Sequence, residues 1–254
     1  MGFSFETFLL VFGRVTGLFL MAPIFSSRQI PITMRVFLVV MISGILAFVT
    51  PIKTVVPIDN SGYFVLALAS EILVGYTLGF VTYAVFAGIQ TAGQLIDMQM
   101  GFGIVNVMDP QSGTQIPLMG NFQYLVALMV FLGINGHHLM IKALHDSYVY
   151  IPVMGASFDG NFVQFIMNLA AYIFVIAVKL GAPVVTAIFM ADMALGFIAR
   201  TVPQMNVFIV GLPLKIWGGL FMVLVTMPIF VWFMQILMAR FFNYLDAVIF
   251  LMGR

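Results

Sequence analysis

The chain has 254 residues, of which 63% are hydrophobic and only 7% charged. A soluble globular surface needs roughly a quarter of its residues charged, so these apolar side chains must face lipid or other protein. The net charge of +1 comes without any basic run, which argues against nucleic acid as a partner. The lack of cysteine excludes disulfide frameworks and thiolate metal or redox sites.

A bilayer is crossed by about 20 apolar residues in helical form. Read in chain order, the sequence predicts an all-α chain with about six such segments, over 5–25, 32–50, 63–90, 118–134, 162–190 and 207–238. An amphipathic tail follows over 236–252. The first segment carries Glu6 before its apolar run and Arg14 inside it, which is unlike a cleavable signal, and it is read as a mature helix. Pro31 begins the second segment and Pro51 ends it, and a polar turn is expected from Lys53 to Gly62. Further turns are expected over 110–117 and 155–160, and Pro203 divides the last two segments. The chain is read as one helical membrane domain over 1–254, with no internal repeat and no clear positive-inside asymmetry.

Several charges lie inside or beside apolar runs: Arg14, Glu71, Lys179, Asp192 and Lys215. A charge at the bilayer centre costs about 2.5–3.5 kcal/mol on insertion scales, so such residues are expected to face protein or water. Glu71, Gly75 and Gly79 share one helix face, and the glycines would let a neighbouring backbone approach. Asp192, Gly196 and Arg200 repeat that spacing. Arg200 lies about 12 Å along the axis from Asp192, so each is expected to pair with another element or chain. Pro183, Pro213 and Pro228 interrupt the late segments, and the backbone groups they free need protein or water partners.

The stretch 90–117 stands apart. Gly93, Asp97 and Gly101 keep helical spacing, after which the pattern dissolves into Gly, Asp and Pro. That second part is apolar for a loop, with Phe102, Ile104, Val105, Val107 and Met108, and an apolar loop must be packed. It could line or block a conduit, or serve as a buried connector. The methionines around it adapt to irregular gaps, though most are expected to be core filler.

Groups for catalysis are few. His137, His138 and His145 are the only histidines, and a metal site from His138, His145 and Asp146 would still lack a tidy set of ligands. Gly101-Phe102-Gly103 lacks the strand that a dinucleotide loop requires. Neither an enzyme nor a cofactor is implied. A small-molecule or ion transporter remains the alternative from another class, with Glu71, Lys179 and Asp192 as its candidate ionisable site.

The order of short blocks along nearly the whole chain resembles the FliR family of flagellar export proteins, equivalent to the SctT family of virulence type III secretion. The most specific block runs from Asp192 through Arg200, Pro203, Gln204, Met205 and Asn206 to Pro213 and Lys215. Arg14 with Pro23, Glu71 with Gly75 and Gly79, Gly93 with Asp97 and Gly101, Asp109-Pro110 and Asn135-Gly136-His137 support it. The resemblance implies a non-catalytic subunit of an export gate in the bacterial inner membrane, at the flagellar basal body. It implies FliP and FliQ as partners, with FlhB associated and unfolded flagellar polypeptides as cargo. It also implies a FliP-like part fused to a FliQ-like part, and apolar sequence buried between subunits. A plug-forming loop is implied at 101–117, with Phe102, Ile104, Val107, Met108, Asp109 and Pro110 at its core. Phe102 is the only aromatic there, where some family members carry several. A virulence-system subunit is the nearer alternative.

Overall fold

The protein was analysed as a computed structural model that describes residues 5–26, 30–50, 61–103, 117–204 and 206–253. Among these residues the chain forms seven helices and is all-α. They are α1 (Phe5–Met21), α2 (Ile32–Val49), α3 (Ser61–Met100), α4 (Leu118–Gly133), α5 (Gly136–Tyr150), α6 (Gly160–Thr201) and α7 (Val207–Met252).

Helix boundaries follow local chemistry. Asp159 starts α6 by accepting a hydrogen bond from the Phe162 amide at 3.0 Å, and Asn206 starts α7 by accepting one from Ile209 at 3.3 Å. Both satisfy amides that the first turn leaves without partners. Gly101, with φ of 85°, ends α3 in the left-handed conformation that glycine adopts without strain. Asn135, with φ of 57°, breaks the chain between α4 and α5, and a short amide side chain tolerates that region.

Three helices are longer than the sequence predicts. The segment expected at 63–90 extends over Ser61–Met100, because Gln90 and Thr91 do not stop it and the Thr91 hydroxyl bonds back to the Ala87 carbonyl at 2.8 Å. Gly62, expected in a turn, lies in its first turn. The segment expected at 162–190 covers Gly160–Thr201 despite Pro183. The segment expected at 207–238 and the separate tail at 236–252 are one helix of 46 residues that contains Pro213 and Pro228. A hydropathy window ends where polarity rises, whereas a helix ends only where its hydrogen bonding is broken.

Four helices are long and apolar enough to cross a membrane, and the broken pair α4–α5 makes up to five. Their lengths differ in kind. α2 has 18 residues, about 27 Å, close to the ~30 Å hydrocarbon core of a bilayer. It exposes Ile32, Phe37, Val40, Ile45 and Phe48, as a helix facing lipid or other protein would. α3, α6 and α7 have 40, 42 and 46 residues, or about 60–69 Å of helix. That is about twice what the hydrocarbon core can cover.

The chain divides into two compact units that interleave in sequence. One comprises Met1–Val85, Phe131–Ala170 and Leu237–Arg254, and the other Phe86–Val130 and Ala171–Ile236. In the first, α1 packs on α2, and Leu10, Ala67 and Val153 form a small core with Phe64 and Met154. In the second, Ile96, Met100, Met119, Val184, Ile188 and Val223 form a core against which Phe102, Val185 and Met222 pack.

Candidate functional site

The first unit is built around a buried arginine. Arg14 of α1 is 0% exposed and Glu71 of α3 is 1% exposed. The guanidinium Nε donates to Glu71 Oε2 at 2.6 Å and Nη2 donates to Oε1 at 3.0 Å, a two-point fork. Nη1 donates to the Ser147 hydroxyl at 2.9 Å and Nη2 also to the Ile151 carbonyl at 3.1 Å. The Tyr148 ring stacks on the cation, 3.9 Å from its centroid. One side chain thus joins α1, α3 and the end of α5. A charge pair is tolerable in an apolar interior only when further hydrogen bonds such as these offset the loss of water.

Glycines bring the backbones close enough for this to happen. A Cβ on Gly75 would strike the Arg14 carbonyl oxygen, and one on Gly17 would strike the Ile72 carbonyl. A Cβ on Gly79 would lie 2.8 Å from the Leu18 carbonyl and from Met21 Cβ. The i, i+4, i+8 row of Glu71, Gly75 and Gly79 therefore lies against α1, with Gly17 opposite.

In the second unit Asp97 holds two helices together. Its carboxylate accepts from the Met119 amide at 3.0 and 3.1 Å and from the Gly120 amide at 3.2 Å, at the start of α4. A carboxylate there satisfies free amides and meets the positive end of the helix dipole. Gly93, one turn earlier, lies so close to Gly120 that no Cβ fits. Asp97 and Gly93 thereby tie the end of α3 to the start of α4, the two ends of the connecting segment.

A groove of about 660 Å³ opens in the same unit, lined by Gly101, Gly103, Asp192, Gly196, Gly211 and Lys215, among others. Lys215 of α7 forms an ion pair with Asp192 of α6, both partly exposed. The groove thus gathers residues that the sequence offered as separate blocks. Arg200 is exposed and forms no ion pair among the described residues. A Cβ at Gly196 would meet nothing within 4 Å, so this glycine is not a close-packing position within the chain.

The remaining expected residues are scattered. Phe102 packs on the second unit's core. Pro203 and Gln204 form the exposed turn between α6 and α7, and Pro213 sits inside α7. Ile104, Val107, Met108, Asp109, Pro110 and Met205 lie outside the described residues. Among the described residues no three His, Asp or Glu side chains form a cluster able to hold a metal. His145 instead shares a hydrogen bond with Thr50 at 3.0 Å. Sequence reasoning missed Ser147, Tyr148 and Gly120, because nothing in their local pattern shows what a distant helix brings to them.

The model of bacterial export proteins, family 1, matches residues 5–241. The chain is 42% identical over 228 residues to the flagellar biosynthetic protein FliR of Bacillus subtilis, covering 89% of this chain and 87% of that one. It is 32% identical to FliR of Escherichia coli, covering 93% and 90%. Yop proteins translocation protein T of Yersinia pestis is 31% identical over 154 residues, 59% of this chain and 58% of that one. The match spans nearly all seven helices, and the chain belongs to the bacterial export protein family 1, alongside the FliR proteins of Bacillus subtilis and Escherichia coli.

Proposed function

We propose that this protein is a non-enzymatic wall subunit of the flagellar export gate. It assembles with FliP and FliQ, and with FlhB alongside, to form the inner-membrane channel through which unfolded flagellar subunits leave the cell. One observation carries the reading beyond family membership. α3, α6 and α7 are about twice as long as a bilayer core is thick, and they expose apolar side chains along much of their length, from Val163 to Ile198 on α6. Lipid cannot cover all of that surface, so protein must. The flagellar branch is favoured over virulence secretion because its matches run over 84–90% of the relatives' lengths, against 58% for the translocation protein T. The plug-forming loop that the family resemblance implies at 101–117 is part of the same proposal.

The test is co-purification of tagged protein expressed with and without FliP and FliQ. A single stable complex of the three, and poor recovery of this chain alone, is the expected result. A monodisperse homo-oligomer indifferent to both partners would overturn the reading and return attention to transport.

A further inference from the structure

Lys179 sits near the middle of α6, 19 residues from its start and 22 from its end, and its side chain is exposed. Val175, Met190, Met193 and Phe197 are exposed on the same face of the helix. Lys179 makes no ion pair or hydrogen bond among the described residues. The two described carboxylates of its own unit are both occupied, Asp97 by the amides of α4 and Asp192 by Lys215.

The lysine borders a cavity of about 90 Å³, lined also by Gln123, Pro183, Thr226 and Phe230. Gln123 is 4% exposed, and its Oε1 has no hydrogen-bond partner. Pro183 lacks the amide that would bond the Lys179 carbonyl, so that acceptor is also free of its helical partner. The hydroxyl of Thr226 is engaged with the carbonyls of Met222 and Val223 at 2.8 and 3.3 Å. Lys179 and Gln123 thus border one small notch in an otherwise apolar face. The carboxamide can turn its N–H groups into the notch.

We propose that Lys179 and Gln123 seat a carboxylate side chain carried by an apolar helix of a neighbouring membrane subunit. This rests on reading the chain as part of a larger membrane assembly, though not on what that assembly transports. Membrane position favours protein over lipid headgroups as the source of the anion. Exposed apolar side chains of α6 extend about 24 Å from Lys179 to Val163 and about 28 Å to Ile198. With Lys179 at a headgroup layer, one of these stretches stands outside the hydrocarbon and needs a protein cover. With Lys179 at mid-bilayer, the cation itself needs a protein counter-charge. Either placement puts a partner helix against this face.

The test is zero-length coupling with a membrane-permeant carbodiimide in native membranes, followed by peptide mass spectrometry. The reagent joins an amine to a carboxylate in contact, and the internal Lys215–Asp192 pair serves as the positive control. The expected product is a peptide pair joining Lys179 to an Asp or Glu of another polypeptide, absent from Lys179→Arg. Lys179→Met should lower recovery of that polypeptide on co-purification by about tenfold or more, with Lys179→Arg close to wild type. Gln123→Leu should lower it less. Three outcomes overturn the proposal: Lys179 unlinked while the control is linked, Lys179 linked to this chain's own carboxylates, or Lys179 linked to an acidic lipid. A link to a protein unrelated to export would support the notch and sink the export reading, so the two fail separately.

Discussion

Removing one partner of the buried Arg14–Glu71 pair should cost far more than removing both. In Glu71→Leu the guanidinium keeps only the Ser147 hydroxyl, the Ile151 carbonyl and the Tyr148 ring. An uncompensated buried charge destabilises by about 3–5 kcal/mol. Arg14→Met strands a carboxylate at the same depth and should cost a similar amount. In the double variant no charge remains. What is lost is the donor to the Ile151 carbonyl, worth about 1–3 kcal/mol, since Ser147 still donates to the Leu144 carbonyl at 2.7 Å. The double variant should therefore be more stable than either single one, with a coupling of about 3 kcal/mol or more. Pulse proteolysis of the purified export complex in mixed micelles would measure this. Losses that simply add would refute the claim that the two charges compensate each other.

Other outcomes follow from the same geometry. Gly75→Ala should disrupt α1–α3 packing, because its Cβ meets the Arg14 carbonyl, and should lower the recovery of folded protein in detergent. Gly196→Ala meets no atoms and should be neutral or stabilise by up to ~1 kcal/mol through helix propensity, read in the same assay. Asp97→Ala should speed hydrogen exchange at the Met119 and Gly120 amides and cost about 1–3 kcal/mol, with Asp97→Asn intermediate. Lys215→Met breaks only a partly exposed ion pair and should change stability by less than about 1 kcal/mol. Deleting 104–108 should make cells leak ions while the complex still assembles, and a tight membrane around an assembled complex would remove the plug from the proposal.

The sequence by itself determined the class. A chain with 63% apolar and 7% charged residues cannot clothe itself for water, and long apolar runs of this kind form helices. It also singled out Arg14 and Glu71, because ionisable groups in apolar helices are costly enough to stand out, and Asp97 through its helical spacing with Gly93 and Gly101. Only the tertiary structure decided what each of them does. Arg14 finds Ser147 and Ile151 more than 130 residues away, and Asp97 spans 22 residues to reach the start of α4. Such partners are chosen by helix crossings, which leave no local trace. The glycines make the same point. Gly75 and Gly196 each follow an acidic residue by four positions, yet one lies against a neighbouring backbone and the other faces open space. Spacing fixes which residues share a face, and packing alone decides what that face meets.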